Sequence, residues 1–105
     1  MGKKKPVQIG GQRFNSVAEA TYYVRGILYD DARVAESQAF LIDLLRHHPE
    51  SDEKIGAGVA LIKAGKGEYG TTCFFAKRTD GTWIDFSFMS CLREAAKAEH
   101  LAAVE

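Results

Sequence analysis

The stretch from Cys73 to Leu92 limits the fold more than any other part of the chain. Two runs rich in aromatic and apolar residues flank Asp80-Gly81, a dipeptide suited to the positive φ angles of tight hairpin turns. The second run passes directly into an apolar segment of helical spacing. A two-residue turn at Asp80-Gly81 pairs Thr79 with Thr82, Arg78 with Trp83, Lys77 with Ile84, Ala76 with Asp85 and Phe75 with Phe86. Side chains alternate across a sheet. One face then carries Cys73, Phe75, Lys77, Ile84 and Phe86, and is expected to be the core face, with the Lys77 stem reaching outward near the turn. The other carries Phe74, Ala76, Arg78, Trp83 and Asp85.

The rest of the chain supplies partners for this hairpin. Val7 to Phe14 reads as a short hairpin turning at Gly10-Gly11. Ser16 and Glu19 form a capping box opening a helix that runs to about Tyr29, with Val17, Ala20, Tyr23 or Val24, Ile27 and Leu28 on its buried side. Asp30 to Glu36 reads as a polar connection. Ser37 is the cap of a second helix carrying Phe40, Leu41, Leu44 and Leu45, which Pro49 stops near His47. Ser51 to Lys54 suits one further turn. Val59 to Lys63 is too apolar to have one face in water and is expected at the centre of the sheet. Residues 65–70 read as a glycine-rich loop. Ser87 caps a terminal helix from Phe88 to about Val104.

These elements predict one α+β domain over residues 7–105: a small, mainly antiparallel sheet packed with about three helices, preceded by a flexible basic tail at 1–6. The 105 residues suffice for a single modest core. Two cysteines fit neither a disulfide scaffold nor a zinc-ribbon spacing. No apolar run reaches membrane-span length, and the first residues lack the apolar segment of a signal peptide. The expectation is a reduced, soluble, cytoplasmic monomer, without cofactor or metal.

Formal net charge is zero, but the charges are segregated. Residues 1–15 hold Lys3, Lys4, Lys5 and Arg13 with no acid, and residues 54–79 hold Lys54, Lys63, Lys66, Lys77 and Arg78 against Glu68 alone. Acids prevail between these segments and after them. A basic face on a neutral molecule still attracts an anion locally, although it would not sustain tight non-specific DNA binding.

Several residues invite a chemical reading. His47-His48 suggests a metal, but adjacent helical side chains diverge by about 100°, and no further ligand stands at a completing distance. A histidine in the last turn of a helix is favoured by the helix dipole. Cys73 and Cys91 suit small core positions; Cys91, near a helix start, is the candidate nucleophile of a hydrolase if His48 and Asp85 join it in one cleft. No catalytic residue is otherwise indicated. Phe74, Arg78 and Trp83 on one sheet face, with Lys63, Lys66 and Lys77 close by, suit a platform on which bases stack while cations meet the backbone. The same aromatic and basic face suits a protein partner, and a helix lying over it would make it core instead.

Leu44 to Pro49 with its His48-Pro49, then Lys54-Ile55-Gly56-Ala57-Gly58, Arg78-Thr79-Asp80-Gly81 and Asp85-Phe86-Ser87 with Cys91-Leu92, together resemble the DCL-type domain, named for the plant "defective chloroplasts and leaves" proteins. The resemblance spans roughly Phe40 to Leu92. It implies an accessory role linked to RNA, since plant members are associated with processing of plastid ribosomal RNA and a related domain is appended to a plant RNA polymerase subunit. The resulting expectation is a non-enzymatic module that binds RNA or single-stranded nucleic acid, with a protein–protein adaptor as the alternative.

Overall fold

The computed structural model describes residues 6–104, with side chains through residue 98. The basic tail expected at 1–6 therefore lies, apart from Pro6, outside the described residues. In chain order the elements are β1 (Val7–Ile9), β2 (Gln12–Phe14), α1 (Val17–Leu28), α2 (Asp31–Glu36), α3 (Gln38–Leu45), α4 (Ser51–Ile55), β3 (Val59–Lys66), β4 (Thr72–Arg78), β5 (Trp83–Phe86) and α5 (Phe88–Val104). The architecture is α+β: a two-stranded ribbon, β1-β2, and an antiparallel three-stranded sheet in the order β3-β4-β5.

Local chemistry explains most boundaries. Ser16 accepts from the Glu19 amide at 3.1 Å and opens α1. Residues 31–36, expected as a connection, are instead helical, because the Asp30 carboxylate accepts from the amides of Ala32 and Arg33 and caps a turn whose only buried residue is Val34. At the start of α5, Ser87 Oγ accepts from the Ser90 amide at 3.4 Å.

Two sheet expectations are corrected. The Val59 strand is an edge strand and β4 is central. The β4–β5 register is one residue away from the two-residue turn: Phe74 pairs with Phe86, Phe75 with Asp85, Ala76 with Ile84 and Lys77 with Trp83. Arg78 donates its amide to Thr82 O at 2.8 Å and accepts from the Gly81 amide at 2.9 Å. The loop is thus the three residues Thr79, Asp80 and Gly81, with Gly81 at φ 90° closing it. The gain is a clean core face. Phe74, Ala76, Ile84 and Phe86 now lie on one side, and Lys77 leaves it.

That side is sealed. Phe74 is fully buried, its ring stacked on Phe86 at 5.7 Å and meeting the Phe88 edge at 6.2 Å. With Ile62 and Ala76 it joins one core containing Val24 and Ile27 of α1, Leu41, Leu44 and Leu45 of α3, Val7 and Ile9 of β1, and Cys91, Leu92, Ala95 and Ala96 of α5. Among the described residues no helix is long and apolar enough to cross a membrane.

Candidate functional site

Strand pairing fixes what the other face of the sheet displays. Lys63 on β3 pairs with Phe75, which pairs with Asp85; Leu61 pairs with Lys77, which pairs with Trp83; Gly65 pairs with Cys73. Directly paired residues share a face. None of these side chains belongs to the core cluster or packs against it, and Trp83 is 46% exposed. Since Arg78 donates a ladder bond to Thr82 O, the pairs Phe75–Asp85 and Lys77–Trp83 fall at the close, non-hydrogen-bonded positions, where side chains touch most readily. Lys77 Nζ stands 6.0 Å from the centre of the Trp83 ring. A Cβ on Gly65 would lie 3.4 Å from Phe75 Cε2. Gly65 therefore leaves room for the neighbouring Phe75 ring, which is half-buried on this face.

Of the six residues expected at a nucleic-acid surface, Lys63, Lys77 and Trp83 meet on this face. Phe74 does not: it is core, because the register shift turns it inward. Lys66 and Arg78 alternate with Lys63 and Lys77 along their strands and so belong to the helix-bearing side. Phe75 replaces Phe74 as the aromatic on the open face. The signal for this lay in Lys77, which the expected register assigns to the core.

Most residues of the DCL-like motif hold the fold around this face. Asp80 Oδ1 accepts from the Thr82 amide at 3.0 Å and from its hydroxyl at 2.6 Å. These bonds, the hydroxyl's first, hold the Asp80 carboxyl below its usual range. The same hydroxyl accepts from Arg78 Nε at 2.8 Å, while Arg78 Nη1 donates to Glu53 O at 3.0 Å. Lys54 Nζ donates to Asp85 O at 2.9 Å. Gly56, at φ 57°, turns the chain out of α4 beside Arg78, whose Cδ would stand 3.4 Å from a Cβ there. Gly58 accepts from the Thr79 amide at 2.9 Å. Pro49 follows His48 in the turn between α3 and α4. His48 is 8% exposed and its Nδ1 accepts from the Glu50 amide at 2.9 Å; burial, then the Lys54 charge, pulls its pKa below 6.5.

The hydrolase arrangement is not formed. Cys91 is fully buried, its Sγ donates to Ser87 O at 3.4 Å, and burial pushes its pKa up to about 12. Lys54 lies near both His48 and Cys91, but the Asp85 side chain is on the opposite face of the sheet. A protonated, sealed thiol is no nucleophile. Among the described residues no group of three or more His, Cys, Asp or Glu side chains is placed to hold a metal.

Residues 28–92, which include the hairpin and both of its faces, match the family model described as "Protein of unknown function (DUF3223)". The chain belongs to the DUF3223 family. The DUF3223 match contains the region of DCL-type resemblance and begins earlier, at residue 28, and the plant relatives bear that resemblance out. The chain is 32% identical over 87 residues to "Protein DCL homolog, chloroplastic" of Arabidopsis thaliana, covering 74% of this chain and 40% of the relative. It is 46% identical over 55 residues to "DNA-directed RNA polymerase IV subunit 1" of Arabidopsis thaliana, covering 51% of this chain and 4% of that subunit. It thus spans less than half the length of either plant protein. A solution NMR structure of an uncharacterized protein from Rhodospirillum rubrum shares the DUF3223 chain's fold with a TM-score of 0.72 and 35% identity, covering 87% of this chain and 91% of the other.

Proposed function

We propose that this DUF3223 domain binds single-stranded RNA on the open face of β3-β4-β5 and acts as an accessory in RNA processing rather than as an enzyme. The observation that carries the reading is the pairing of two aromatic rings, Phe75 and Trp83, with two cations, Lys63 and Lys77, on a face outside the core. Bases stack on such rings irrespective of sequence, each contributing about 1–3 kcal/mol, and lysines meet the phosphates. Kinship with a chloroplast DCL protein and with an RNA polymerase subunit favours RNA as the polymer. With two lysines engaged, the logarithm of affinity would fall with that of salt concentration with a slope of about −1.4.

Trp83 is the only tryptophan in the chain and reports on the face directly. Titration with a single-stranded RNA oligonucleotide at low salt is expected to quench its fluorescence saturably. Phe75→Ala weakens binding about tenfold, the loss of one stacked base, whereas Lys66→Ala, on the other side, leaves it unchanged. No quenching, or quenching indifferent to Phe75→Ala, overturns the reading.

A further inference from the structure

The outer edge of β3 carries a second site. Gly67 donates its amide to Thr71 O, so residues 61, 63 and 65 bond inward to β4 while the amides and carbonyls of Ile62, Ala64 and Lys66 point away from the sheet. At Ile62 these groups are already engaged. Gln38 Oε1 accepts from the Ile62 amide at 2.7 Å, and Gln38 Nε2 donates to Ile62 O at 2.7 Å and to Val34 O at 2.9 Å. A carboxamide is chemically a peptide group. Held by the α2 backbone, it pairs with Ile62 as a neighbouring strand would.

The next two outward positions, Ala64 and Lys66, have no backbone partner on that side among the described residues. They open onto a cleft between the sheet edge and α2. One hollow, about 390 Å³, lies between Asp31, Val34 and Ala35 and the strand from Leu61 to Ala64. A second, about 250 Å³, continues past Asp31 and Ala64 to Leu28, Tyr29 and Lys66. We propose that this cleft takes an extended peptide segment of a partner protein, added to β3 as a further strand beyond the Gln38 carboxamide. The site shares Lys63 with the RNA-binding face but does not depend on that reading.

Alternation defines the segment's chemistry. A residue opposite Ala64 turns into the cleft against Val34 and Leu28 and is apolar. Residues opposite Lys63 and Lys66 meet a lysine, one on each side of the sheet, and are acidic. The pattern is acid, apolar, any residue, acid, with backbone pairing supplying affinity and the side chains supplying selection.

The test uses the intact, ¹⁵N-labelled chain and acetyl-Glu-Val-Thr-Glu-amide as probe. Saturable shifts are expected at the Ala64 and Lys66 amides, with slowed hydrogen exchange at both. Methylating the peptide's backbone nitrogens weakens binding about tenfold, since the strand bonds can no longer form. Ala64→Pro removes an amide that β4 does not use, a change edge strands tolerate, and abolishes binding. Should that variant fail to fold, Lys66→Glu is expected to reject the acidic probe and accept acetyl-Glu-Val-Thr-Lys-amide, whose glutamate still meets Lys63 while its lysine meets the introduced carboxylate. No shift at Ala64 and Lys66 with millimolar probe, equal binding of the methylated peptide, or no exchange of preference in Lys66→Glu overturns the proposal.

Discussion

Adjacent phenylalanines on β4 provide a direct test of the sheet register. Phe74 has no exposed surface and touches two further rings. Phe74→Ala removes a whole ring from a packed layer, and such truncations cost about 3–5 kcal/mol. For a domain of this size the melting temperature is expected to fall on the order of 15–25 °C. Phe75 lies on the open face beside Gly65, so Phe75→Ala forfeits only the part of its apolar area covered there, about 1 kcal/mol. Urea unfolding followed by far-ultraviolet circular dichroism measures both. The midpoint should drop sharply for Phe74→Ala and little for Phe75→Ala, with binding lost in the opposite order. Equal losses, or a larger one for Phe75→Ala, would refute the three-residue loop and the platform built on it.

Two titratable groups give further checks. The folded chain lowers the His48 pKa below the ordinary 6.5, so the unfolded chain takes up the proton more readily. Stability is therefore full above about pH 6.5 and declines as pH falls through that value towards the depressed one. His48→Asn, whose Oδ1 can accept the Glu50 amide, is expected to lose this slope when unfolding is measured from about pH 8 to about pH 5; an unchanged slope would sink the assignment. The native chain should react with a thiol reagent at Cys73 alone, slowly, because burial and then the Asp85 carboxylate raise its pKa. Asp85→Asn speeds that reaction, and Cys91 reacts only after unfolding; a native Cys91 reaction would contradict the packing.

The hairpin was legible because Asp80-Gly81 admits few other conformations. Its register was not, because the same dipeptide closes two-residue and three-residue loops alike. The arbiter was a charge: the shorter loop assigns Lys77 to the core face, whereas the longer one assembles Phe74, Ala76, Ile84 and Phe86 there without it. The helix over residues 31–36 was obscured because its inward stripe is a single residue, Val34, and its stability rests on the Asp30 cap and tertiary contact. The apolar run at Val59 suggested a central strand. On the edge, its outward backbone at Ile62 is satisfied by a side chain 24 residues earlier, a contact no local pattern announces. Lys63, Lys77 and Trp83 survived as neighbours, while Phe74, Lys66 and Arg78 were lost to the inner side by parity.

The bonds running from Asp80 through Thr82 and Arg78 to the Glu53 carbonyl moor the hairpin tip to α4. With the tip held by these bonds in the folded chain, a ligand binding there would lose little chain entropy on landing. Association at Trp83 would then be governed by encounter rather than rearrangement, with a single kinetic phase.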